Sequence, residues 1–488
     1  MSLPGCRLVA MAGSRIPLLL ALALAAPPQG RAAVPPESPV VLTIETRSAG
    51  AAIPVDFSGL SFESQRLLPD KNGWHYFSPE NRPLVDLFRT LGVKSLRVGG
   101  NTSDNPAVRI PGGADIDSLF AFARAAGAKV IYTLRLKNAD PADDARIAKS
   151  ILARDKSELA CFAIGNEPNV YAKPYPVFHD TWAKFMAAIT APDMAPEAVF
   201  CGPCTTPGTG AWAADFARDF AATRRLAFIS QHSYPGGNGR KVPDPAAGRD
   251  EMLSPEFVRR YEKFYQLFVP GVQASGLPYR LEETNNFFNG GAEDVSDTYA
   301  SALWGLDYMW WWAEHGAAGL NFHTGDKVAA ADASAPCRYA VFLTSPAGYA
   351  VHPLGYAMKA FALGSRGRLV PADLTANKDQ LNLTAYGVLA ADGALCVTLI
   401  NKEHGAGARD AAVTLAPDSR HVRGRILLLT APGGDVAAKT GLRLGGAPIR
   451  DDGSWDGVWT PLPAPSADGS FIVKVPAATA AVIELGAH

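Results

Sequence analysis

The sequence has 488 residues, too many for one small domain, and its 48% apolar and 19% charged residues can bury a large core. Lysine plus arginine number 46 and aspartate plus glutamate number 47, so the net charge is −1. Without a basic excess, a nucleic-acid-binding protein is not indicated, and any anionic ligand needs a local site.

Residues 1–33 have the layout of a secretory signal peptide. Arg7 and Arg15 precede a short apolar run that ends at Ala26, and small residues follow it. The run is shorter than the roughly 20 residues that a membrane-spanning helix needs, and an uncleaved anchor is the alternative. We expect a secreted or periplasmic protein with no membrane attachment after cleavage. Loss of this segment removes three arginines and changes the net charge from −1 to −4.

Residues 50–364 alternate between short apolar or β-branched runs and stretches with helical spacing. Eight such units predict an α/β fold, a (β/α)8 TIM barrel. A doubly wound sheet is the rival, but no Gly-x-Gly-x-x-Gly follows the first strand. The predicted strands are Phe57–Phe62, Ser95–Val98, Lys129–Leu134, Leu159–Ile164, Ala198–Cys201, Ala227–Ser230, Tyr279–Glu282 and Gly319–Phe322. The clearest predicted helices are Pro83–Leu91, Asp115–Ala126, Pro255–Phe268 and Ser296–His315.

Residues 365–488 show a different pattern, with short alternating runs separated by Gly, Pro, Asn and Asp. This pattern predicts an all-β sandwich behind the barrel. The run Val40–Thr46 precedes the barrel and reads as one more strand. We therefore assign residues 34–49 to the sandwich together with residues 365–488.

Five cysteines follow residue 33, an odd number that leaves at least one unpaired. Cys201 and Cys204 form a CxxC pair, but residues 205–208 (Thr-Thr-Pro-Gly) do not begin a helix, which thioredoxin-like chemistry requires. A local disulfide or two plain thiols are the expectation. Because neither a second CxxC nor a histidine cluster indicates zinc, the sequence predicts no metal and no organic cofactor.

Two predicted strands end in a glutamate. Glu167 follows the apolar run that ends at Gly165, and Glu283 ends the seventh strand. Barrel active sites lie at the carboxyl ends of the strands, and strands four and seven face each other across the barrel. Two carboxylates that meet there can act on one glycosidic bond, one as acid and one as nucleophile or base. Either glutamate by itself would more often be a surface or ion-paired residue.

Three segments together resemble glycoside hydrolase family 79, a clan A family that holds β-glucuronidases and heparanases. They are Leu96–Asp104, Ile164–Asn169 and Glu283–Ala292, the last reading Glu-Thr-Asn-Asn-Phe-Phe-Asn-Gly-Gly-Ala. The resemblance covers nearly the whole chain after residue 50. It implies a retaining mechanism in which Glu167 is the acid/base and Glu283, directly before Thr, is the nucleophile.

Glu282 adjoins the expected nucleophile. Neighbouring residues of a strand face opposite ways, so only one of the two glutamates is expected in the site. Glu282 is therefore expected to face the helical layer or to pair with a nearby arginine.

The resemblance also implies supporting residues. Asn166 is expected to bind the sugar 2-hydroxyl, and Tyr234 to orient the nucleophile, with His232 in the same network. Glu63, Asn101 and Thr102, at the ends of the first two strands, are further candidates for sugar hydroxyls. The uronate carboxylate would be met by the backbone of Asn289 and Gly290 and by Tyr339, with Tyr349 as its rival.

The sequence thus predicts a retaining, exo-acting β-glucuronidase whose partner is a small glucuronide or the end of an oligosaccharide. An endo-acting, heparanase-like enzyme is the alternative within the class, although a charge of −4 argues against a surface for sulfated chains. A barrel that binds carbohydrate without catalysis is the alternative outside it. The run Trp310–Trp312 does not form a stacking platform, because consecutive helical residues point about 100° apart, so a packing role is expected.

Overall fold

The computed structural model describes residues 38–327, 336–375, 377, 380–418 and 421–486. The predicted signal peptide, residues 1–33, lies outside these ranges. Within them, no helix combines the length and the apolar character that crossing a membrane requires.

The first strand, β1 (Ser38–Ile44), precedes a closed barrel of eight parallel strands. The barrel strands are β2 (Ser58–Glu63), β3 (Ser95–Gly99), β4 (Lys129–Leu134), β5 (Leu159–Ile164), β6 (Phe200–Thr205), β7 (Leu226–Ser233), β8 (Tyr279–Thr284) and β9 (Leu320–His323). The cylinder closes where β9 pairs with β2. All eight predicted strands overlap these elements, and the predicted fold class is confirmed.

Nine helices of the described chain pack around the barrel or beside it. They are α1 (Arg82–Leu91), α2 (Gly113–Ala126), α3 (Pro141–Asp155), α4 (Tyr175–Ile189), α5 (Gly210–Phe220), α6 (Pro245–Leu253), α7 (Val258–Ala274), α8 (Tyr299–Glu314) and α9 (Pro353–Gly364). Helix α1 shows how the sequence sets their bounds: a proline stands in its first turn, and Gly92 ends it in the left-handed conformation. Its apolar residues Leu84, Leu87, Phe88 and Leu91 share the buried face.

Two further sheets, in which most neighbouring strands are antiparallel, form the sandwich domain. Their strands, together with a short hairpin, are β10 (Phe342–Ser345), β11 (Gly348–Val351), β12 (Arg368–Val370), β13 (Ala372–Leu374), β14 (Leu383–Leu389), β15 (Leu395–Asn401), β16 (Ala411–Pro417), β17 (Arg423–Thr430), β18 (Arg443–Leu444), β19 (Thr460–Pro461), β20 (Phe471–Val475) and β21 (Thr479–Gly486). One sheet has the order β13-β1-β16-β20, and the other has the order β12-β14-β15-β21-β17-β18, with β19 on β17. Strand β1 lies parallel to β16, so the segment before the barrel belongs to the sandwich sheet. The exact domain bounds stay a prediction.

The barrel and the sandwich meet along α8, which is buried over almost its whole length. Trp310 stacks on Tyr386 of β14 with ring centroids 5.4 Å apart. Asp307 is buried next to it and accepts hydrogen bonds from Lys402 Nζ and from the Tyr386 hydroxyl, both at 2.7 Å. The tryptophan run therefore packs between elements and forms no stacking platform, as the sequence predicts.

Candidate active site

Glu167 and Glu283 lie together at the carboxyl end of the barrel. Glu167 follows β5 in a left-handed conformation with a φ of 47°, and its backbone N–H donates to the Cys204 carbonyl at 2.9 Å. Glu283 lies on β8. One oxygen of each carboxylate and a ring nitrogen of His232 are all within 4.8 Å of one another. The Glu167 side chain is 24% exposed and that of Glu283 is 9% exposed, so Glu167 is the more accessible of the two.

Glu283 is held in the ionised form. Tyr234 donates its hydroxyl to Oε1 at 2.8 Å, and Arg97 donates Nη1 to Oε2 at 2.7 Å. Burial by itself would raise the pKa of Glu283, but the positive charges of His323, His232 and Arg97 hold it far below the ordinary glutamate value. An ionised, oriented carboxylate of this kind is suited to attack on carbon.

His232 links the two carboxylates. Its Nδ1 lies 3.0 Å from Glu167 Oε1 and 3.8 Å from Glu283 Oε1. Burial would lower the pKa of His232, but the carboxylates of Glu283, Glu167 and Glu282 raise it to about 10. The ring is therefore a fixed cation at neutral pH, within reach of whichever of the two carboxylates bears the negative charge.

Asn166 lies between the two glutamates and Arg97. Its Oδ1 accepts from Arg97 Nη2 at 2.7 Å, and its backbone N–H donates to Asp104 Oδ2 at 2.7 Å. Because Arg97 occupies the amide oxygen, the NH2 group is the end that can donate; one of its two hydrogens is taken by a long contact to Asn101 Oδ1 at 3.4 Å. This orientation leaves a donor available for a sugar hydroxyl.

Glu63, Asn101 and Thr102 form one unit beside this centre. The Glu63 carboxylate accepts from the Thr102 backbone and hydroxyl at 2.8 and 2.7 Å and from the Asn101 backbone at 3.3 Å. A side chain at Gly100, whose φ is 68°, would lie 2.4 Å from that carboxylate. Thr102 therefore positions Glu63, and the glycine admits that carboxylate at close range.

The loop after β8 presents backbone donors. Asn289, Gly290 and Gly291 all have positive φ, and the N–H groups of Gly290 and Gly291 donate to no acceptor among the described residues. The Asn289 side chain donates to Asn238 Oδ1 at 3.0 Å, so the contact expected of this residue with a uronate falls to its backbone. Such consecutive N–H groups form a concave site for an anion.

Tyr339 packs near the rings of Tyr234 and His323 beside Glu283, whereas its rival Tyr349 lines the same cavity without a ring contact to either of them. The Tyr339 ring is 6.3 Å from that of Tyr234 and 6.1 Å from that of His323. The Tyr349 hydroxyl contacts Asn81 instead, at 2.6 Å. A cavity of about 800 Å³ opens beside Tyr339 and is also lined by Glu63, His323 and Trp74.

Three functional neighbours were missed by sequence reasoning. Arg97 is fully buried, and His323 ends β9 with Nδ1 3.9 Å from Glu283 Oε2. The Ser61 hydroxyl accepts from Arg97 Nη1 and shares a hydrogen bond with His323 Nδ1, both at 3.1 Å. The available signal was a single charged residue within the apolar strand Leu96–Val98, because an arginine does not enter a barrel interior without a partner.

Glu282 was expected either to face the helical layer or to pair with a nearby arginine, and the first of these two expectations was wrong. This residue does not face the helical layer; it lies in the barrel interior, 3.5 Å from His232 Nε2 and 4.0 Å from Arg97 Nη2. The pairing of β8 with β9 shifts register between Leu281 and Thr284, and its pairing with β7 shifts between Arg280 and Glu283. Such a bulge breaks the alternation of the strand and turns both adjacent glutamates inward.

Two sets of described residues have the donor types and spacing for a metal ion, Glu167-His232-Glu283 and Cys201-Cys204-Glu282. In the first set, Glu283 already accepts from Arg97 and Tyr234, Glu167 contacts His232 Nδ1, and no thiol proton is available whose release would offset the charge of an added ion. That centre is instead arranged for acid–base and nucleophilic chemistry, since one carboxylate is held ionised and the other is open to solvent.

The fold defines a class. The chain superimposes on solved glycoside hydrolases over nearly its whole length, and at these identities the likeness establishes the fold alone. A 4-O-α-L-rhamnosyl-β-D-glucuronidase from Fusarium oxysporum 12S matches with a TM-score of 0.70 and 17% identity, over 93% of this chain and 99% of that one. A family 51 arabinofuranosidase from Xanthomonas axonopodis pv. citri matches with a TM-score of 0.67 and 14% identity, over 92% of this chain and 100% of that one.

In sequence, the chain is similar to a particular protein, a β-glucuronidase from Aspergillus niger. The two are 25% identical over an alignment 329 positions long, and the match covers 57% of this chain and 60% of that relative. The match therefore spans less than two thirds of the relative's length. No protein-family model matches the chain.

Proposed function

We propose that the protein is a retaining, exo-acting β-glucuronidase of glycoside hydrolase family 79. The observation that carries the proposal is the spacing of Glu167 and Glu283, whose nearest carboxylate oxygens are within 4.8 Å. Retaining enzymes hold their two carboxyl groups about 5–5.5 Å apart, whereas inverting enzymes need about 6.5–9.5 Å to admit a water molecule. Two carboxylates whose oxygens approach within 4.8 Å fit the closer arrangement, which favours direct attack by Glu283.

The reaction proceeds in two displacements. In the first, a Glu283 oxygen bonds to the anomeric carbon, the bond from that carbon to the leaving oxygen breaks, and Glu167 gives its proton to the leaving oxygen. In the second, a water molecule gives a proton to Glu167 while its oxygen bonds to the anomeric carbon. The ester bond then breaks, and Glu283 is released as a carboxylate.

His232 keeps the charge balanced during these steps. In the first displacement Glu283 loses its negative charge to the ester, and Glu167 gains one when it gives up its proton. Because His232 Nδ1 is 3.0 Å from Glu167 and 3.8 Å from Glu283, the charge moves from one neighbour of the same imidazolium to the other. The preorganised cation therefore needs no rearrangement between the two states.

The loop after β8 supports a uronate as the sugar. The free backbone N–H groups of Gly290 and Gly291 and the Tyr339 hydroxyl are neutral donors that can bind a carboxylate. Neutral donors suit a chain with a net charge of −1, since no excess of basic residues is needed. Similarity to a β-glucuronidase from Aspergillus niger points to the same sugar.

A panel of aryl β-glycosides tests the sugar. Glucuronide, glucoside, galactoside and xyloside with the same leaving group are compared by kcat/KM, and the glucuronide is expected to be hydrolysed best. Hydrolysis of the glucoside but not the glucuronide would refute the uronate assignment. Proton NMR of the first product formed tests retention, because the β anomer must appear before mutarotation.

Matched variants test the two glutamates. Glu283→Gln removes the charge of the nucleophile, and Glu167→Gln removes the acidic proton. Both substitutions keep the side-chain volume. Both are expected to lose activity on a glucuronide with a poor leaving group. Glu167→Gln retains the first step on an activated leaving group that needs no proton, whereas Glu283→Gln does not. Equal losses on both substrates would remove the division of roles.

We also infer that the protein is exported, with residues 1–33 as the cleaved leader. N-terminal sequencing of the protein recovered from the culture medium or periplasm tests this inference. A mature terminus near residue 34 is expected, and an intact Met1 terminus on an active, cell-bound protein would contradict it.

A further inference from the structure

Three buried side chains beneath the two carboxylates are not used by the proposed reaction. Cys201 and Cys204 lie on β6, and Glu282 lies on β8. One ligand atom of each lies within 4.8 Å of the other two, and both cysteines are free thiols. Two sulfur atoms and a carboxylate oxygen are donor types that Zn²⁺ takes in proteins.

The backbone of β6 is irregular at the point that brings the two thiols together. In a regular strand, residues three apart face opposite sides. Cys204 instead has a φ of 56°, and the pairing of β6 with β7 shifts register between Pro203 and Thr205. A left-handed residue that is not glycine costs free energy, and such residues cluster at functional positions.

The spacing fits one metal ion. Cys201 Sγ lies 3.4 Å from Glu282 Oε2. Sulfur and oxygen ligands of one tetrahedral zinc ion are about 3.5 Å apart, given Zn–S of about 2.3 Å and Zn–O of about 2.0 Å. The other carboxylate oxygen, Glu282 Oε1, is buried and has no hydrogen-bond donor among the described residues. Its nearest cationic neighbours are His232 Nε2 at 3.5 Å and Arg97 Nη2 at 4.0 Å, so Oε2, the oxygen that faces the Cys201 thiol, is the one placed to bind an ion.

The neighbouring cations do not oppose such an ion. With both cysteines protonated and Glu282 ionised, the three side chains carry a net charge of −1. Binding of Zn²⁺ releases two thiol protons, so the set of two thiolates, one carboxylate and the ion also carries −1. Arg97 and His232, which lie 4.0 and 3.5 Å from Glu282 Oε1, therefore face the same net charge in either state.

We propose that Cys201, Cys204 and Glu282 form a structural Zn²⁺ site inside the barrel. The site is closed, so the ion enters as the chain folds and ties β6 to β8, the strand that carries Glu283. No local sequence pattern indicates this site, because the third ligand comes from a distant strand and not from a second CxxC. The proposal does not depend on which sugar the enzyme cleaves.

Metal analysis of the full chain, produced with added zinc and dialysed against a weak chelator, tests the proposal. We expect about one zinc ion per chain. Cys201→Ser and Cys204→Ser should each lower that content at least about tenfold. Cys396→Ser is the matched control, because this buried thiol lies on β15 of the sandwich and should leave the zinc content unchanged.

The absorption spectrum of the cobalt-loaded wild-type chain tests the site even if a serine variant fails to fold. The wild-type chain, refolded with Co²⁺ in place of zinc, should show sulfur-to-cobalt charge-transfer absorption together with the visible bands of tetrahedral cobalt. A folded wild-type chain that holds no zinc and gives no such absorption would overturn the proposal. So would an intact mass two hydrogens lower, with Cys201 and Cys204 joined in a disulfide.

Discussion

Replacing Tyr234 with phenylalanine removes one hydrogen bond to the proposed nucleophile and keeps the ring. The lost bond is the 2.8 Å contact from the tyrosine hydroxyl to Glu283 Oε1. A hydrogen bond to a charged group contributes about 1.5–3 kcal/mol. The ionised form of Glu283 is destabilised by that amount, so its pKa rises. The carboxylate also becomes a poorer leaving group in the second displacement, which slows about 10- to 150-fold.

The assay is the pH dependence of kcat/KM and of kcat on an activated aryl glucuronide, for which the second displacement limits turnover. The acidic limb of kcat/KM should move to higher pH, because it reports the free enzyme's nucleophile. The kcat should fall, and the glycosyl-enzyme should accumulate. Tyr349→Phe is the control, since that hydroxyl contacts Asn81 and not Glu283. An acidic limb that stays in place in Tyr234→Phe would refute the role of this hydrogen bond.

Two further predictions concern stability. The pKa of His232 is raised to about 10 in the folded chain, so the stabilisation from its protonation is complete below about pH 6.5, the unfolded value, and is lost as the pH rises to 10. Between pH 6.5 and 10 the thermal midpoint of unfolding should therefore fall less steeply with pH in His232→Gln than in the wild type. An equal slope in the two proteins would contradict the raised pKa of His232. Asp307→Ala leaves the Lys402 ammonium buried without its partner and should lower the free energy of unfolding by about 3–5 kcal/mol in urea denaturation. The double variant with Lys402→Met should recover part of that loss, and no recovery would show that the pair is not the cause.

The barrel could be predicted from the sequence because its signals are local. Each strand such as Lys129–Leu134 is a short buried run, and each following helix repeats apolar residues on one face. The two glutamates could be located for the same reason, since Glu167 and Glu283 directly follow or end such runs. The tryptophans of α8 also follow from local geometry, because consecutive helical residues cannot share a face.

The missed parts depend on register between strands. Glu282 was expected to face outward because a regular strand alternates, but a bulge between Leu281 and Thr284 suspends that rule. Arg97 was left without a role because its partners lie on distant strands: Glu283 Oε2 and Asn166 Oδ1 are both 2.7 Å away. Neither the bulge nor these contacts can be seen as a periodic pattern in the sequence, because both depend on how the eight strands pair in the closed barrel.

Strand β1 has a consequence for biosynthesis. It is synthesised before the barrel strands, yet its parallel partner β16 (Ala411–Pro417) is synthesised only after all of them. Until then Val40, Leu42 and Ile44, all fully buried in the finished protein, have no sheet to join. The sandwich is therefore the last part of the chain to close. A truncation before β16 leaves the apolar β1 segment exposed, where it can cause aggregation or bind chaperones.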